Sequence, residues 1–292
     1  TTHNLNADVA AVLNLSEDHL DRYATMQDYI AAKARIFLHE QEDTGIQILN
    51  RDDPVVKGMA LAQRKHVTFG VDTAPAQSDC GMLHNGDDLW LMEGDRPLMK
   101  TSELVVNGLH NAANALAALA ICRALALPME PLLAALREFR GLPHRMEKVA
   151  AFNGVTFFDD SKSTNVGATI AALNGMSKNV ILIAGGDGKG QDFSLMRDAV
   201  ANNARAVVLI GRDAGIIANE LKDCGVPLHF AVTMEEAMQK SFLLAQAGDV
   251  VLLSPACASF DMFRNYIHRA EVFVAAVKDI ENKFFSFGQK KH

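Results

Sequence analysis

The chain has 292 residues, 49% of them hydrophobic and 22% charged, with a formal net charge of -7. That length suits two soluble cores rather than one, and an acidic balance with dispersed lysines and arginines disfavours a nucleic-acid-binding surface. The four cysteines, Cys80, Cys122, Cys224 and Cys257, form no C-x-x-C pair, which argues against a zinc knuckle or a secreted disulfide framework and for a reducing, cytoplasmic setting. No apolar run approaches the roughly 20 residues of a membrane span, and the first ten residues have no charged-then-apolar leader. The start, Thr1-Thr2-His3 without a methionine, reads as that of a piece cut from a longer protein.

Val9 to Leu15 reads as a short buried strand that ends at Ser16-Glu17-Asp18-His19. Apolar spacing then predicts a helix over Met26 to Leu38. Ile46 to Leu49, Val67 to Gly70, Trp90 to Leu98 and Glu103 to Val106 are strand candidates, expected to form the edge of a mixed sheet. Asn111 to Ala126, rich in alanine and leucine, is a helix by propensity. Gly141 opens a polar block that closes at Asn165, with a strand-like alternating hairpin between its two ends. Beyond it, strands at Val180–Ala184, Ala206–Ile210, Pro227–Ala231 and Val250–Leu253 alternate with helices near 194–202, 213–222, 234–246 and 263–285. That rhythm predicts a doubly wound α/β sheet, mostly parallel and covered on both faces.

Ligands in such sheets bind beyond the carboxyl ends of the strands. Those ends hold Gly185-Gly186-Asp187-Gly188-Lys189, Gly211-Arg212-Asp213 and Ser254-Pro255-Ala256-Cys257-Ala258-Ser259. The first string suits a carboxylate or phosphate, since glycines turn the chain tightly while backbone N–H groups and a lysine face the anion. It is not a Walker A loop: Gly190 stands where serine or threonine should follow, and Ile183 where the first glycine should be. A G-x-G-x-x-G dinucleotide fingerprint follows no strand either. The arginine, carboxylate, lysine and hydroxyls of Gly141–Arg145 and Asp159–Asn165 also suit an anion that arrives with a metal or a phosphate.

Other groups balance function against a plainer role. Ser16 to Tyr23 concentrates ionisable groups where a strand ends, as metal ligands do, but equally reads as helix capping. Lys33 by itself is a lysine on a helix among alanines. Asn111 and Asn114 lie one turn apart and present amides that suit a purine edge, or Asn111 simply caps the helix. Ser259 and Tyr266 offer a hydroxyl and a helix start to a carboxylate, or form a buried turn.

Taken in order, Asn14 to Arg22, Tyr29 to Arg35, Gly108 to Ala115, Gly141 to Arg145, Asp160 to Asn165, Gly185 to Lys189 and Leu253 to Ser259 resemble the Mur ligases. These are ATP-dependent amide-forming enzymes of peptidoglycan synthesis, and the matching strings span nearly the whole chain. The Leu-Ser-Pro-Ala-Cys-Ala-Ser and Asp-Ser-Lys-Ser-Thr-Asn strings look like the branch that joins D-glutamate to UDP-N-acetylmuramoyl-L-alanine.

The resemblance implies a partial central ATP-binding domain over residues 1–141 and a C-terminal Rossmann-like domain over 142–292. It implies His19 as a magnesium ligand and Lys33 as a lysine carbamylated to give magnesium a carboxylate. Asn111 and Asn114 would meet the adenine, Arg145, Asp160 and Lys162 the ribose and phosphates, and Thr164, Lys189, Ser259 and Tyr266 the D-glutamate. Lys33, His19 and Lys162 would be the catalytic set, with ATP and Mg2+ as cofactors.

The chain departs from the family pattern in five respects, the first of which is the lack of the nucleotide-sugar-binding first domain. It contains no Gly-Lys-Ser or Gly-Lys-Thr loop and no nearby magnesium-binding glutamate, so ATP turnover by this chain alone is not expected. An exposed apolar face or shared interface is expected beside its first strand. Ala270 replaces a usual glycine and Tyr266 a usual phenylalanine. Rival readings are a non-catalytic fragment that binds nucleotide or amino acid, a folylpolyglutamate synthetase-like ligase, and a nicotinamide-dependent oxidoreductase, the last disfavoured by the missing fingerprint.

Overall fold

The structure is a computed structural model that describes residues 5–15, 22–38, 44–106, 108–176 and 179–288. The chain divides into two compact units on either side of the Arg140–Gly141 bond.

The first unit carries a six-stranded sheet whose strands follow sequence order: β1 (Val9–Val12), β2 (Ile46–Asn50), β3 (His66–Phe69), β4 (Cys80–Asn85), β5 (Asp88–Glu93) and β6 (Arg96–Lys100). Pairings are parallel from β1 to β4 and antiparallel from β4 to β6. Successive residues of β2 point to opposite faces, as the pleat requires. Ile48 joins a cluster with Leu116, Leu119 and Leu133, while Leu49 packs with Ala10, Val12, Phe37 and Val56. The helices of this unit are α1 (Met26–Ala34), α2 (Pro54–Lys57), α3 (Leu109–Ala124) and α4 (Met129–Glu138).

Several sequence expectations need correction here. The helix predicted over Met26 to Leu38 is α-helical to Ala34 and then tightens into a 3-10 turn, Arg35–Phe37. Its start is capped by Thr25, whose hydroxyl accepts from the Asp28 N–H while Asp28 reaches back to the Thr25 N–H, a reciprocal capping box. Trp90 to Leu98 is a hairpin rather than one strand, turning at Gly94, whose φ of 58° suits a residue without Cβ. Glu103 to Val106 is not a strand: Thr101–Glu103 is a 3-10 turn, with the Glu103 carboxylate accepting from the Lys100 N–H at 2.8 Å. The strand β4 and the helices α2 and α4 are additional to the elements expected, and the sheet is mixed, as expected. The chain enters α3 through Gly108 at φ 102°, so Asn111 lies in the first turn and does not cap the helix. On the outermost strand β1, Ala10 and Val12 are buried, whereas Leu13 just beyond it is 40% exposed.

The second unit opens with the hairpin of β7 (Glu147–Phe152) and β8 (Val155–Asp159), closed by Asn153-Gly154 with φ of 52° and 73°. Two positive φ values in an Asn-Gly pair are the turn geometry that matches strand twist. There follow α5 (Val166–Asn174), β9 (Val180–Gly185), α6 (Arg197–Asn203), β10 (Ala204–Ile210), α7 (Ala214–Leu221), β11 (Leu228–Phe230), α8 (Met234–Leu244), β12 (Val250–Leu253) and α9 (Tyr266–Gly288). Strand order is β11-β10-β9-β12-β8-β7, parallel except for β7. Helix α5 lies within the region left unassigned between hairpin and β9. The last helix starts at Tyr266, three residues later than its spacing predicts.

Residues of β9 alternate between two buried clusters. Val180, Leu182 and Ala184 pack with residues of α5, α6 and α7, while Ile181 and Ile183 pack with residues of α8 and α9. Burial on both faces explains why the strand is an unbroken apolar run. Phe157 on β8 is fully buried and stacks on Phe152 with ring centroids 4.7 Å apart. Phe157→Ala should destabilise this unit by about 3–5 kcal/mol, read as a lower urea midpoint at unchanged slope. A loss below about 1 kcal/mol would show that the core around it collapses to fill the space.

Candidate active site

The helix arrangement reverses direction at one end of the second sheet. Because α5, α6 and α7 cover one face and α8 and α9 the other, the chain leaves β8 and β9 toward one side and leaves β12, which lies between them, toward the opposite side. Such a switch point is where open α/β sheets bind ligands.

Backbone contacts stitch the exit loops together there. A Cβ on Gly185 would lie 1.9 Å from the Ile210 carbonyl oxygen, and one on Gly186 would lie 2.3 Å from that of Ala258. Both residues have positive φ, 121° and 131°, so only glycine fits. The Gly185 N–H then donates to Pro255 at 2.9 Å, and Asp187 and Ala258 exchange both backbone hydrogen bonds, at 2.9 and 2.8 Å. The Gly188 N–H donates to Asp213 Oδ2 at 2.7 Å. Buried Gln191 is a second tie: its Oε1 accepts from the Val166 N–H at 2.9 Å, and its Nε2 donates to the carbonyls of Gly188 and Ala256. Asn165 caps α5, accepting from the Ala168 N–H at 2.8 Å. Four non-glycine residues at this end hold left-handed backbone, His144, Met146, Lys189 and Ala256, each at a cost of about 1–3 kcal/mol that concentrates at functional loops.

Behind the loops lies a buried polar layer. The Asp160 Oδ2 accepts from Ser163 Oγ at 2.5 Å and Ser254 Oγ at 2.8 Å, and its Oδ1 from the Met146 N–H at 3.3 Å. Burial pushes the Asp160 carboxyl up to about 6, against those hydrogen bonds, which act the other way. Burial also raises its neighbour Asp159, opposed by the His144 ring, whose Nδ1 lies 2.7 Å from Asp159 Oδ2. The donor atoms of His144, Glu147 and Asp159 fall within 4.8 Å of one another. They are already engaged with one another, however, since Glu147 accepts from the His144 N–H, and the arrangement reads as a loop clamp. Arg269, fully buried in the first turn of α9, donates to Ser161 and to the Cys257 carbonyl. Desolvation lowers its pKa to about 10, so it remains a cation at neutral pH.

Among the residues singled out from the sequence, Asp160, Lys162 and Tyr266 are brought together. Lys162 Nζ sits 4.1 Å from the centroid of the Tyr266 ring, a cation–π distance, and His144 meets the same ring edge-on at 6.0 Å. Thr164 is half-buried and Arg145 exposed on the adjoining turns. Ser259 is buried, its carbonyl accepting from the N–H groups of Met262 and Phe263. The Lys189 N–H donates to Asp187 Oδ1 at 3.1 Å. In the first unit, Lys33 is exposed in the last turn of α1, its Nζ 5.2 Å from the Tyr29 ring. Asn111 is half-buried and Asn114 exposed one turn further along α3. His19 and most of its acidic string lie outside the described residues.

Sequence reasoning assigned no role to Ser161, Gln191, Ser254 or Arg269. For Arg269 a signal exists: Phe273, Ala276, Val277 and Ile280 form the buried stripe of α9, and Arg269 occupies the same stripe one turn earlier.

Comparison with known families places both units. A profile described as "Mur ligase middle domain" matches residues 1–122, and one described as "Mur ligase, glutamate ligase domain" matches residues 144–257. The chain belongs to the Mur ligase family. Over 281 residues it is 66% identical to the UDP-N-acetylmuramoylalanine–D-glutamate ligase of Nitrosospira multiformis, covering 96% of this chain and 59% of that relative. Over 292 residues it is 62% identical to the protein of the same name from Nitrosomonas europaea, covering 100% of this chain and 62% of that one. The Mur ligase chain thus spans about 60% of the length of these relatives. Among solved structures, a Mycobacterium tuberculosis folylpolyglutamate synthase complexed with ADP shares the fold at TM-score 0.71 and 18% identity, covering 93% of this chain and 64% of that one. UDP-N-acetylmuramate-alanine ligase from Thermotoga maritima shares it at TM-score 0.64 and 20% identity, over 94% of this chain and 60% of that one.

Asp160 gives this Mur ligase unit a pH signature. Its folded carboxyl keeps the proton up to about 6 against an ordinary value of 3.8. The native state therefore binds more protons between those values and loses stability as pH rises through that window. In Asp160→Asn that loss should disappear, raising the variant relative to the parent by on the order of 2 kcal/mol between pH 4 and pH 7.5. Urea unfolding at both pH values would measure it, and parallel pH dependence of the two proteins would contradict it.

Proposed function

We propose that this chain is the middle and C-terminal part of an ATP-dependent ligase that joins D-glutamate to UDP-N-acetylmuramoyl-L-alanine. The observation that carries the reading is 62% identity along the entire chain to a relative of that name. The loops at the switch point of the second sheet, which carry Lys162 and Lys189, support the reading as a place for an anionic ligand. In the proposed reaction an alanyl carboxylate oxygen attacks the γ-phosphorus of ATP and ADP departs, leaving an acyl phosphate. The amine of D-glutamate then attacks the acyl carbon, a tetrahedral intermediate forms, and phosphate leaves as the amide closes.

In this proposal Thr164, Lys189, Ser259 and Tyr266 receive the D-glutamate carboxylates, and Lys162 offsets the charge that builds on the transferring phosphoryl group. Arg145 serves the nucleotide phosphates from its exposed turn, Asn111 and Asn114 the adenine. Asp160, with both oxygens engaged inside the protein, contributes by shaping the loop that carries Lys162 toward the ribose and phosphates. Magnesium would be held by His19 and by Lys33, and it would neutralise phosphate charge when bound. An ammonium group repels a divalent cation, so Lys33 fits that role only after carbamylation converts its nitrogen into the base of a carboxylate.

The chain itself carries no G-x-x-x-x-G-K-[ST] loop, and we assign to it ligand binding without turnover. The folylpolyglutamate synthase likeness rests on fold alone, whereas the sequence relatives favour D-glutamate chemistry.

Isothermal titration of D-glutamate and, separately, of magnesium–ATP into the purified chain tests the reading. D-glutamate binding should weaken about tenfold or more in Lys189→Ala, the loss of one charge-assisted contact, and persist in Arg145→Ala. Equal affinity in the parent and Lys189→Ala would remove Lys189 from the pocket, and no heat from D-glutamate with the parent would count against an acceptor site in this chain.

A further inference from the structure

The groups assigned above to the nucleotide and to D-glutamate stand on several loops of the second unit, among them the one leaving β8, which carries some of both, and the one leaving β12. A single side chain beneath these two touches both. Arg269 Nε donates to Ser161 Oγ at 2.9 Å, one terminal nitrogen donates to the Ser161 carbonyl at 2.8 Å, and the other to the Cys257 carbonyl at 3.0 Å. Ser161 Oγ donates in turn to the Tyr266 carbonyl at 2.8 Å, which closes the ring back onto α9. The guanidinium is fully buried, and among the described residues it has no carboxylate at ion-pair distance. Such a cation is costly to bury, more so than an apolar side chain of similar volume. What the apolar side chain cannot do is hold two loops with one rigid, planar fork.

We propose that Arg269 is a positioning residue that fixes the spacing between the β8 exit, carrying Asp160, Lys162 and Thr164, and the β12 exit, carrying Ser259. This proposal rests on the D-glutamate reading above for its ligand, but its structural half is independent of it. Arg269 touches no proposed ligand. Its influence passes through Ser161, the immediate neighbour of Asp160 and Lys162, and through Cys257, two residues before Ser259.

The test compares the parent chain with Arg269→Lys, Arg269→Met and Ser161→Ala, by hydrogen exchange without ligand and by titration with D-glutamate. In Arg269→Met, amides of both loops, 160–166 and 254–260, should exchange about tenfold faster or more, as local opening replaces a lost tie. The β9 amides should remain protected well below the variant's melting temperature, which falls because the Ser161 and Cys257 carbonyls lose their buried donor, and D-glutamate affinity should fall by a similar factor. Arg269→Lys keeps the charge without the fork and should recover part of both properties. Ser161→Ala, which removes one acceptor, should loosen the same two loops to a smaller extent, and it decides the matter if Arg269→Met fails to fold. Protection unchanged in both loops, or lost in only one, would overturn the tie. Loops that loosen while D-glutamate affinity holds would overturn the positioning role. If the parent itself does not bind D-glutamate, the ligand reading fails, and joint loosening of the two loops still upholds the tie while its absence refutes it.

Discussion

Two places where backbone meets backbone, with no room for a side chain, govern the C-terminal unit. Gly185 lies against Ile210 and Gly186 against Ala258, so the exits of β9, β10 and β12 crowd into one small region. Every later feature of this end of the sheet builds on that approach. The Asp187–Ala258 exchange of hydrogen bonds, the Gly188 contact to Asp213 and the reach of Gln191 across three loops all require loops that are already this close. A larger residue at either glycine would push the loops apart and leave donors and acceptors facing gaps, which in a buried layer is expensive.

Much of the fold was legible in the sequence because apolar periodicity is a strong signal where both faces of a strand are covered. Val180–Ala184 and Val250–Leu253 read as buried strands, and the strands found there are Val180–Gly185 and Val250–Leu253. The signal weakened where side chains carry mixed duties. Cys80–Asn85 pairs its apolar first half with an exposed second half, so no alternation stands out. Within Trp90 to Leu98 the polar Glu93-Gly94-Asp95-Arg96 turn is itself a hairpin signal, which a reading by apolar content alone passes over. Helix α4 begins after Pro128 without a side-chain cap, and nothing in its first residues announces it.

Legibility of the site divides along a physical line. Glycine strings, lysines and the Asp160–Lys162 block were visible because anion-binding chemistry needs those residue types on loops after strands. The polar layer behind them was not, since a serine or glutamine that satisfies a distant backbone group has no local pattern. Ser161 and Arg269 are 108 positions apart, and Gln191 and Ala256 are 65 apart. Only the folded chain brings such pairs into contact. Asp160 shows the same limit from the other side: the residue was noticed, but its inward-turned oxygens could be known only from packing.

The position of β12 has a further consequence for how this unit is made. Four residues near the C-terminus, Val250–Leu253, fill the slot between β8 and β9, strands that end some seventy to ninety positions earlier. During synthesis the growing chain must therefore carry an open seam through the middle of its sheet, with two sets of unpaired strand edges and an apolar interior, until that segment emerges. Non-local pairing of this kind slows folding and leaves sticky intermediates, so β12 acts as the closing stitch of this unit, and a ribosome that stalls before it releases a chain with an open seam.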